Sequence, residues 1–310
     1  MNAADQLDLP RLRRALLIIN ENSRQGQEGG QAAVEVLERG GIQLQREACA
    51  GLYDLADIIR GAAKTVDLVV LGGGDGTLSS AAPGLIETGL PLGILPLGTA
   101  NDLARTLGIP VDIAGAAQVI VEGKHRRIDL GEVNGKPFFN VASMGLSVGM
   151  TRELTHDVKQ RWGKLGYAVA TVRALWHMRP FSAAIISGDE VHKVRTLQIS
   201  IGNGRYYGGG MAVEEGAEID DGCLNLYSME FSHLWKLALV YPAFRKGRHG
   251  MWKEVRTMRC SEVEIRTGRS RKINTDGEIT TETPAQFRVL RKAVSVFAPA
   301  AGSDDTVSLE

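Results

Sequence analysis

A chain of 310 residues with 36 basic and 36 acidic side chains carries no formal net charge, which excludes a global field drawing it to nucleic acid or to an anionic membrane. Aromatic residues make up 5%, too few for a base-stacking platform. Cys49, Cys223 and Cys260 are odd in number and far apart, so neither a disulfide framework nor a CxxC metal site follows, and a reducing cytoplasm is the expected compartment.

The length suits two domains. Residues 1–10 read as a loose tail. Behind Arg11, Arg13 and Arg14, the run Ala15–Ile19 is too short for a signal-peptide core and predicts a first buried strand. No uncharged apolar stretch reaches the roughly 18 residues that a membrane span needs, so no transmembrane helix is expected. Asn20–Gly26 is a polar loop at the carboxyl end of that strand. Helices are predicted over Gln31–Arg39 and Leu52–Ala63, the second with Leu52, Leu55, Ile58 and Ile59 at core spacing, and a strand between them over Gln43–Glu47.

Leu68–Leu71 is a strand-type run that ends in Gly72-Gly73-Gly74-Asp75-Gly76-Thr77, and a helix-like stretch extends from about Leu78 to Thr88. Glycines let backbone N–H groups approach an anion, and the start of a helix adds dipole and donors, so the loop is a candidate phosphate seat. Asp75 would repel phosphate unless a cation lay between them, which hints at Mg²⁺. A tight strand-to-helix turn is the plainer alternative. A second strand, Leu92–Leu95, ends in Pro96-Leu97-Gly98-Thr99-Ala100-Asn101-Asp102-Leu103-Ala104-Arg105, with Thr99, Asn101 and Asp102 as capping candidates. In an open parallel sheet the two loops would face one nucleotide, and the strand–helix alternation predicts a doubly wound α/β domain.

From His125 the texture changes. Two strands joined at Asn134-Gly135 form a predicted hairpin, and the domain boundary falls there. Residues 157–179 read as a long amphipathic, basic helix with Trp162 and Trp176, suited to packing on its own domain or to lying against lipid headgroups. Strand-like runs come next at Ser182–Ile186, Arg195–Gly202, Leu224–Tyr227, Glu262–Arg266, Lys272–Thr275, Gln286–Leu290 and Val294–Ala298, a succession that suggests a β-sandwich. The glycine stretch 202–210 does not fit GxGxxG, and no GxxxxGK[ST] occurs, so neither a Rossmann nor a Walker loop is present. Glu218-Ile219-Asp220-Asp221-Gly222-Cys223 is an acidic turn that suits an oxygen-seeking cation or, equally, a plain Asp-Gly hairpin. Tyr241–Thr257 is basic, either a solvated face or one that meets anionic lipid. In Asn274-Thr275-Asp276-Gly277-Glu278, Asp-Gly favours a hairpin turn, and the two carboxylates offer a base for a hydroxyl. None of the six histidines stands at ligand spacing.

GGGDGT followed by PLGTANDLAR resembles the diacylglycerol kinase catalytic family, most closely the bacterial YegS-like lipid kinases, and the likeness runs from Ile18-Ile19-Asn20 to about Ala298. The paired motifs are specific, whereas NAD kinases and phosphofructokinases carry related versions of the first. The resemblance implies an N-terminal α/β nucleotide-binding domain over residues 1–133, of NAD kinase/phosphofructokinase type, with the segment from about 291 to 310 returning to it. It implies a C-terminal β-sandwich-like lipid-substrate domain over 134–290. ATP would contact Asn20, Gly72, Gly73, Gly74, Asp75, Gly76, Thr77, Leu78, Ser79, Ser80, Gly98, Thr99, Asn101 and Asp102. Mg²⁺ would bridge its phosphates to an acidic group around Asp75, in which the family also places the equivalents of Asp102 and Asp129. A structural Mg²⁺, or Ca²⁺, would take the Asp221 side chain and the carbonyls of Glu218 and Cys223. The catalytic residues implied are Asp75, Asp276 and Glu278, and which of the last two takes the proton is left open. Two departures stand out: the Asn20 loop lacks the family's proline and tight glycine spacing, and Ser79-Ser80 replaces an Asn-Glu pair.

The implied activity is ATP- and Mg²⁺-dependent phosphorylation of a lipid hydroxyl, of diacylglycerol or phosphatidylglycerol type. The protein would be cytoplasmic and transiently membrane-associated, without a nucleic-acid partner, and a homodimer is compatible. The alternatives are an NAD kinase, a sphingoid lipid kinase, and a catalytically silent nucleotide- or lipid-binding relative.

Overall fold

The apolar run after the N-terminal arginines forms β1 (Arg13–Ile19), and the chain then alternates through α1 (Gly26–Arg39), β2 (Ile42–Ala48), α2 (Leu55–Ala62), β3 (Leu68–Gly73), α3 (Asp75–Thr88) and β4 (Leu92–Pro96). The structure, a computed structural model, describes residues 13–20, 26–48, 55–145, 179–204, 206–207, 211–212, 218–231 and 254–299. Most of the helix expected over 157–179, much of the basic stretch 241–257, most of the loop after Asn20, part of the glycine stretch 202–210, the tails and Cys49 lie outside the described residues. No helix among the described residues is long and apolar enough to cross a membrane.

The described chain divides into two compact units. The first runs to Thr99 and adds Leu107–Arg126 and the segment from Val294; the second comprises Ala100–Thr106 and Arg127–Ala293. In the first unit the strands are parallel in the order β2-β1-β3-β4. β3 and β4 are buried at every position, as expected of parallel strands covered on both faces. Right-handed crossovers to β2 on one side and to β3 on the other send α1 and α2 to opposite faces. Accordingly α1 packs on α5 (Ile113–Glu122), and α2 packs on α3. At Gly84 of α3 a Cβ would come within 2.8 Å of the Ala56 carbonyl, so glycine is what allows those two helices to touch. Arg13 fastens the other side: its guanidinium donates to the carbonyls of Ile120 (3.1 Å) and Val121 (2.7 Å) in the last turn of α5.

In the second unit, α4 (Asp102–Thr106) is succeeded by β5 (His125–Val133), whose first residues belong to the first unit, then β6 (Lys136–Phe138) and β7 (Val141–Gly145). The β5–β6 hairpin turns at Asn134 (φ 49) and Gly135 (φ 78), as the Asn-Gly pair predicts. The later strands are β8 (Phe181–Ser187), β9 (Glu190–Thr196), β10 (Gln198–Gly202), the short β11 (Tyr206–Tyr207) and β12 (Met211–Ala212), β13 (Leu224–Met229), β14 (Val255–Cys260), β15 (Glu262–Thr267), β16 (Lys272–Thr275), β17 (Glu278–Glu282) and β18 (Ala285–Phe297). One layer runs β14-β13-β10-β7-β16-β17, and the facing layer is built from β6, β5, β18, β15, β8 and β9. Between them lies a core that includes Met144, Ile199, Ile201 and Leu226 from the first layer and Phe138, Ile185, Ile265 and Phe287 from the second. The expected α/β plus β-sandwich architecture is therefore present.

Several elements differ from expectation. Gln286–Leu290 and Val294–Ala298 read as two strands but form one, β18, which takes a positive φ of 48° at Lys292 and ends beside β4, with Val296 opposite Leu92. β9 and β17 are edge strands, mostly exposed along their length, so they lack the apolar alternation by which a strand announces itself. β14 lies within and beyond the end of the basic stretch, and only Val255 and Cys260 at its two ends are buried.

Candidate active site

The loops singled out in the sequence emerge at the carboxyl ends of β1, β3 and β4. Ile19 is paired with Gly72 and Gly73 with Pro96, so the three strands release their loops side by side. Chain direction across the sheet reverses between β1 and β3, and in open α/β sheets ligands bind at the strand ends beside such a reversal. The Asn20 N–H donates to the Gly72 carbonyl (2.8 Å), its Nδ2 to Thr77 Oγ1 (3.4 Å), and the Leu97 N–H to the Gly73 carbonyl (3.1 Å).

The glycines are there because the space is taken. A Cβ on Gly73 would lie 2.5 Å from Thr77 Oγ1 and 2.7 Å from Thr77 Cβ, and one on Gly74 would lie 3.2 Å from the Cα of Gly98. The two glycine motifs thus meet backbone to backbone at Gly74 and Gly98. Gly74 is the N-cap of α3, extended (φ −100, ψ −175) and without a side chain to cap the helix. The 14-residue helix presents its positive dipole end here, a ready seat for an anion. Asp75 is half-buried in the first turn. Leu78 and Ser80 turn elsewhere: the Leu78 side chain is in the core and its N–H closes on the Gly74 carbonyl (3.2 Å), while Ser80 Oγ donates to the Gly76 carbonyl (3.0 Å).

Asn101 and Asp102 fall in the second unit, both buried at the start of α4. Asn101 takes a positive φ of 50°, and its carbonyl accepts the Arg105 N–H at 3.0 Å. Also in the second unit, the turn between β16 and β17 passes through Asp276 (φ 47) and Gly277 (φ 101). Asp276 is fixed from both ends. Its N–H donates to the Val141 carbonyl (3.0 Å), and its carboxylate accepts the backbone N–H groups of Phe139 (2.7 Å), Asn140 (3.0 Å) and Val141 (3.0 Å). Glu278, two residues on, is exposed.

A hydrogen-bonded series continues from that collar through Asn203 to Asp129, which the resemblance assigned to the acidic group around Asp75. Asn203 Nδ2 donates to the carbonyls of Phe139 (3.0 Å) and Asp129 (2.8 Å). The buried Asp129 carboxylate accepts the N–H of Gly222 (2.7 Å) and of Lys292 (2.6 Å), so both of its oxygens fasten backbone. Those bonds account for the positive φ in β18 and reach the turn expected to hold a structural cation.

That turn does not fit a divalent ion in this arrangement. Asp221 Oδ1 accepts the Cys223 N–H (2.9 Å), and Oδ2 accepts from the Arg259 guanidinium (2.7 Å). Mg²⁺ requires oxygen ligands at roughly 2.0–2.1 Å in octahedral array. Seated on Oδ2, it would lie within about 5 Å of the guanidinium, a repulsion of several kcal/mol even at an effective dielectric of about 20. No group of three or more His, Cys, Asp or Glu side chains able to hold a metal occurs among the described residues. Burial, with the neighbouring Cys223 adding, pushes the Cys260 thiol up to about 11.

Comparison with known proteins agrees with this architecture. Residues 14–133 match the diacylglycerol kinase catalytic domain, and residues 140–298 match the YegS C-terminal NAD kinase beta sandwich-like domain. The chain is 29% identical over 292 residues to a diacylglycerol kinase of Staphylococcus aureus strain MRSA252, covering 93% of each. It is 28% identical over 266 residues to a diacylglycerol kinase of Staphylococcus saprophyticus subsp. saprophyticus, covering 85% of this chain and 87% of the relative. A crystal structure of a protein from Bacillus anthracis str. Sterne assigned as a diacylglycerol kinase superposes with a TM-score of 0.80 at 26% identity, over 94% of this chain and 99% of that one. Because both halves match in the order and extent of the two units' main segments, the chain belongs to the YegS-like diacylglycerol kinase catalytic-domain family and is a lipid kinase.

Proposed function

We propose that the protein transfers the γ-phosphate of ATP to a hydroxyl of a diacylglycerol- or phosphatidylglycerol-type lipid. The observation that carries this reading is the uncapped N-terminus of α3, packed by glycine against the second glycine loop where β1, β3 and β4 end. Asn20, Gly72–Thr77, Gly98 and Thr99 are our candidates for holding the nucleotide, with Ser79, Asn101 and Asp102 as further contacts. The Asp75 carboxylate, set among anion-attracting donors, suits the Mg²⁺ that accompanies the phosphates, and that ion would neutralise phosphate charge as it shifts to the leaving oxygen.

The resemblance leaves two carboxylates for the proton. Asp276 already accepts three backbone N–H groups, which supports a positioning role for it. Glu278, carried on the turn that Asp276 fixes, is the proposed base. Its carboxylate takes the hydroxyl proton as the lipid oxygen bonds to the γ-phosphorus, and the bond to the β,γ-bridging oxygen breaks to release ADP.

The test is transfer of labelled phosphate from ATP to mixed-micelle lipids, with and without Mg²⁺. The panel holds diacylglycerol, phosphatidylglycerol, a sphingoid base and ceramide, with NAD as a soluble control. A labelled glycerolipid is expected, lost without Mg²⁺ and reduced about 10²- to 10⁴-fold in Glu278→Gln, the range for removing a general base. Label on the sphingoid base or on NAD would replace the acceptor class. Full activity in Glu278→Gln would remove that residue from the chemistry.

A further inference from the structure

The turn Glu218–Cys223 is closed by side chains that carry their own positive charge. Asp221 meets Arg259 at 2.7 Å, with only 16% of the Asp221 side chain exposed. A second guanidinium, that of Arg291, donates to the Gly222 carbonyl (3.4 Å) and lies close beside that glycine, its Cζ 3.0 Å from where a Cβ would stand. Gly222 takes a positive φ of 70°, and its N–H is held by Asp129. The carbonyl of Ile219 is held as well, by the Asp129 N–H at 2.9 Å. The Asp221 carboxylate, both backbone groups of Gly222 and the Ile219 carbonyl are therefore met by protein groups.

We propose that Arg259 does the work of a structural cation at this turn, so that the chain folds and holds the 218–223 segment without a bound divalent ion. A guanidinium is suited to this. It keeps its charge at all working pH values, is more weakly hydrated than an ammonium, and presents directed donors to a carboxylate, whereas Mg²⁺ gives up its waters reluctantly. Arg259 reaches Asp221 from β14, opposite Asn225 of β13, so the cation is supplied by the strand beside the one that the turn feeds. The proposal is independent of the phosphoryl-transfer reading, because unfolding is the readout.

The experiment is thermal unfolding of nucleotide-free protein in excess EDTA and in millimolar MgCl₂ or CaCl₂, with metal analysis of the EDTA-free preparation. The wild type is expected to unfold at the same temperature in all three and to carry no stoichiometric divalent ion. A midpoint that falls in EDTA and returns with either ion, or one tightly bound ion per chain, would overturn the proposal. In Arg259→Ala the midpoint should drop by several degrees and recover in millimolar Mg²⁺ or Ca²⁺, since the vacated carboxylate and carbonyls then suit an ion. Arg259→Lys should restore part of the midpoint without ions. The double variant Arg259→Ala/Asp221→Asn should lose the ion response, which separates this turn from any other acidic group. An Arg259→Ala midpoint equal to wild type, or one lowered and indifferent to both ions, would reduce the pair to an ordinary surface contact. Should Arg259→Ala fail to fold, the wild-type EDTA comparison decides alone.

Discussion

In the first unit the loops after β1, β3 and β4 are held close by the absence of side chains, whereas in the second the Asp276 turn is held by the presence of one. At Gly73 and Gly74 the backbone comes so near to Thr77 and Gly98 that any Cβ would intrude. At Asp276 a single carboxylate gathers three N–H groups from Phe139, Asn140 and Val141 and sets a positive φ in a non-glycine residue. Close packing can be disturbed only by adding atoms; a carboxylate collar can be disturbed only by removing them. The two regions should therefore fail in opposite ways.

The larger failure is expected at Asp276. Asp276→Ala leaves three buried N–H groups without their charged acceptor, and at roughly 1–2 kcal/mol each the loss is about 3–6 kcal/mol. It should appear as a lower urea midpoint at unchanged m, and activity should fall with the stability of the turn. Asp276→Asn keeps the shape and one acceptor oxygen and should fall between. An unchanged midpoint in Asp276→Ala would mean that the turn is held by its strands alone, and the contrast with the glycine loops would collapse. The next effect is at Gly73, where alanine places a methyl 2.5–2.8 Å from the Thr77 side chain. Overpacking of that kind costs about 1–3 kcal/mol. Gly73→Ala should also weaken ATP binding, and Gly73→Ala/Thr77→Ser, which removes the methyl it meets, should recover part of the stability. Recovery of nothing would place the clash on the Thr77 Oγ1 and Cβ, which serine keeps, rather than on its methyl.

This contrast also explains what could be read from the sequence. The strand-end loops were legible because crowding selects glycine, and because β3 and β4, buried at every position, leave unbroken apolar runs. Even so, α3 starts at Asp75, earlier than its apolar pattern, since its cap is the backbone of Gly74 rather than a side chain. The Asp276 collar left no such trace: its partners stand 135–137 positions away in sequence, and a backbone N–H has no residue type. Asn203 was passed over within a glycine-rich stretch, although its amide joins Phe139 to Asp129. Arg259 was invisible for a further reason. A turn with aspartate, carbonyls and glycine invites an ion by composition, and only the β13–β14 register brings an arginine to it. Sequence reports local crowding and burial; it does not report which distant donor meets a carboxylate.

The smallest expected effect concerns a carboxylate in the first unit that also meets a cation, but in water. Arg60 donates to both oxygens of Glu87, Nε to Oε2 at 2.6 Å and Nη2 to Oε1 at 2.8 Å, and also pairs with Asp57. The hydrogen bond from Arg60 holds the Glu87 carboxyl below its ordinary value of 4.5. A carboxylate depressed on folding stabilises the fold above its unfolded value, and that contribution is lost as pH falls through its folded value. Wild type and Glu87→Gln should therefore differ slightly near neutral pH and converge in acid, below the folded value. The side chains of Arg60 and Glu87 are 39% and 55% exposed, so added salt should shrink the neutral-pH difference as well. Urea unfolding of both proteins at neutral and acid pH, at low and high salt, checks each sign. The deficit of Asp276→Ala, measured alongside at neutral pH, should be nearly indifferent to salt, because its partners are buried backbone. If Glu87→Gln cost as much as Asp276→Ala and resisted salt, exposure would not be what separates the two carboxylates.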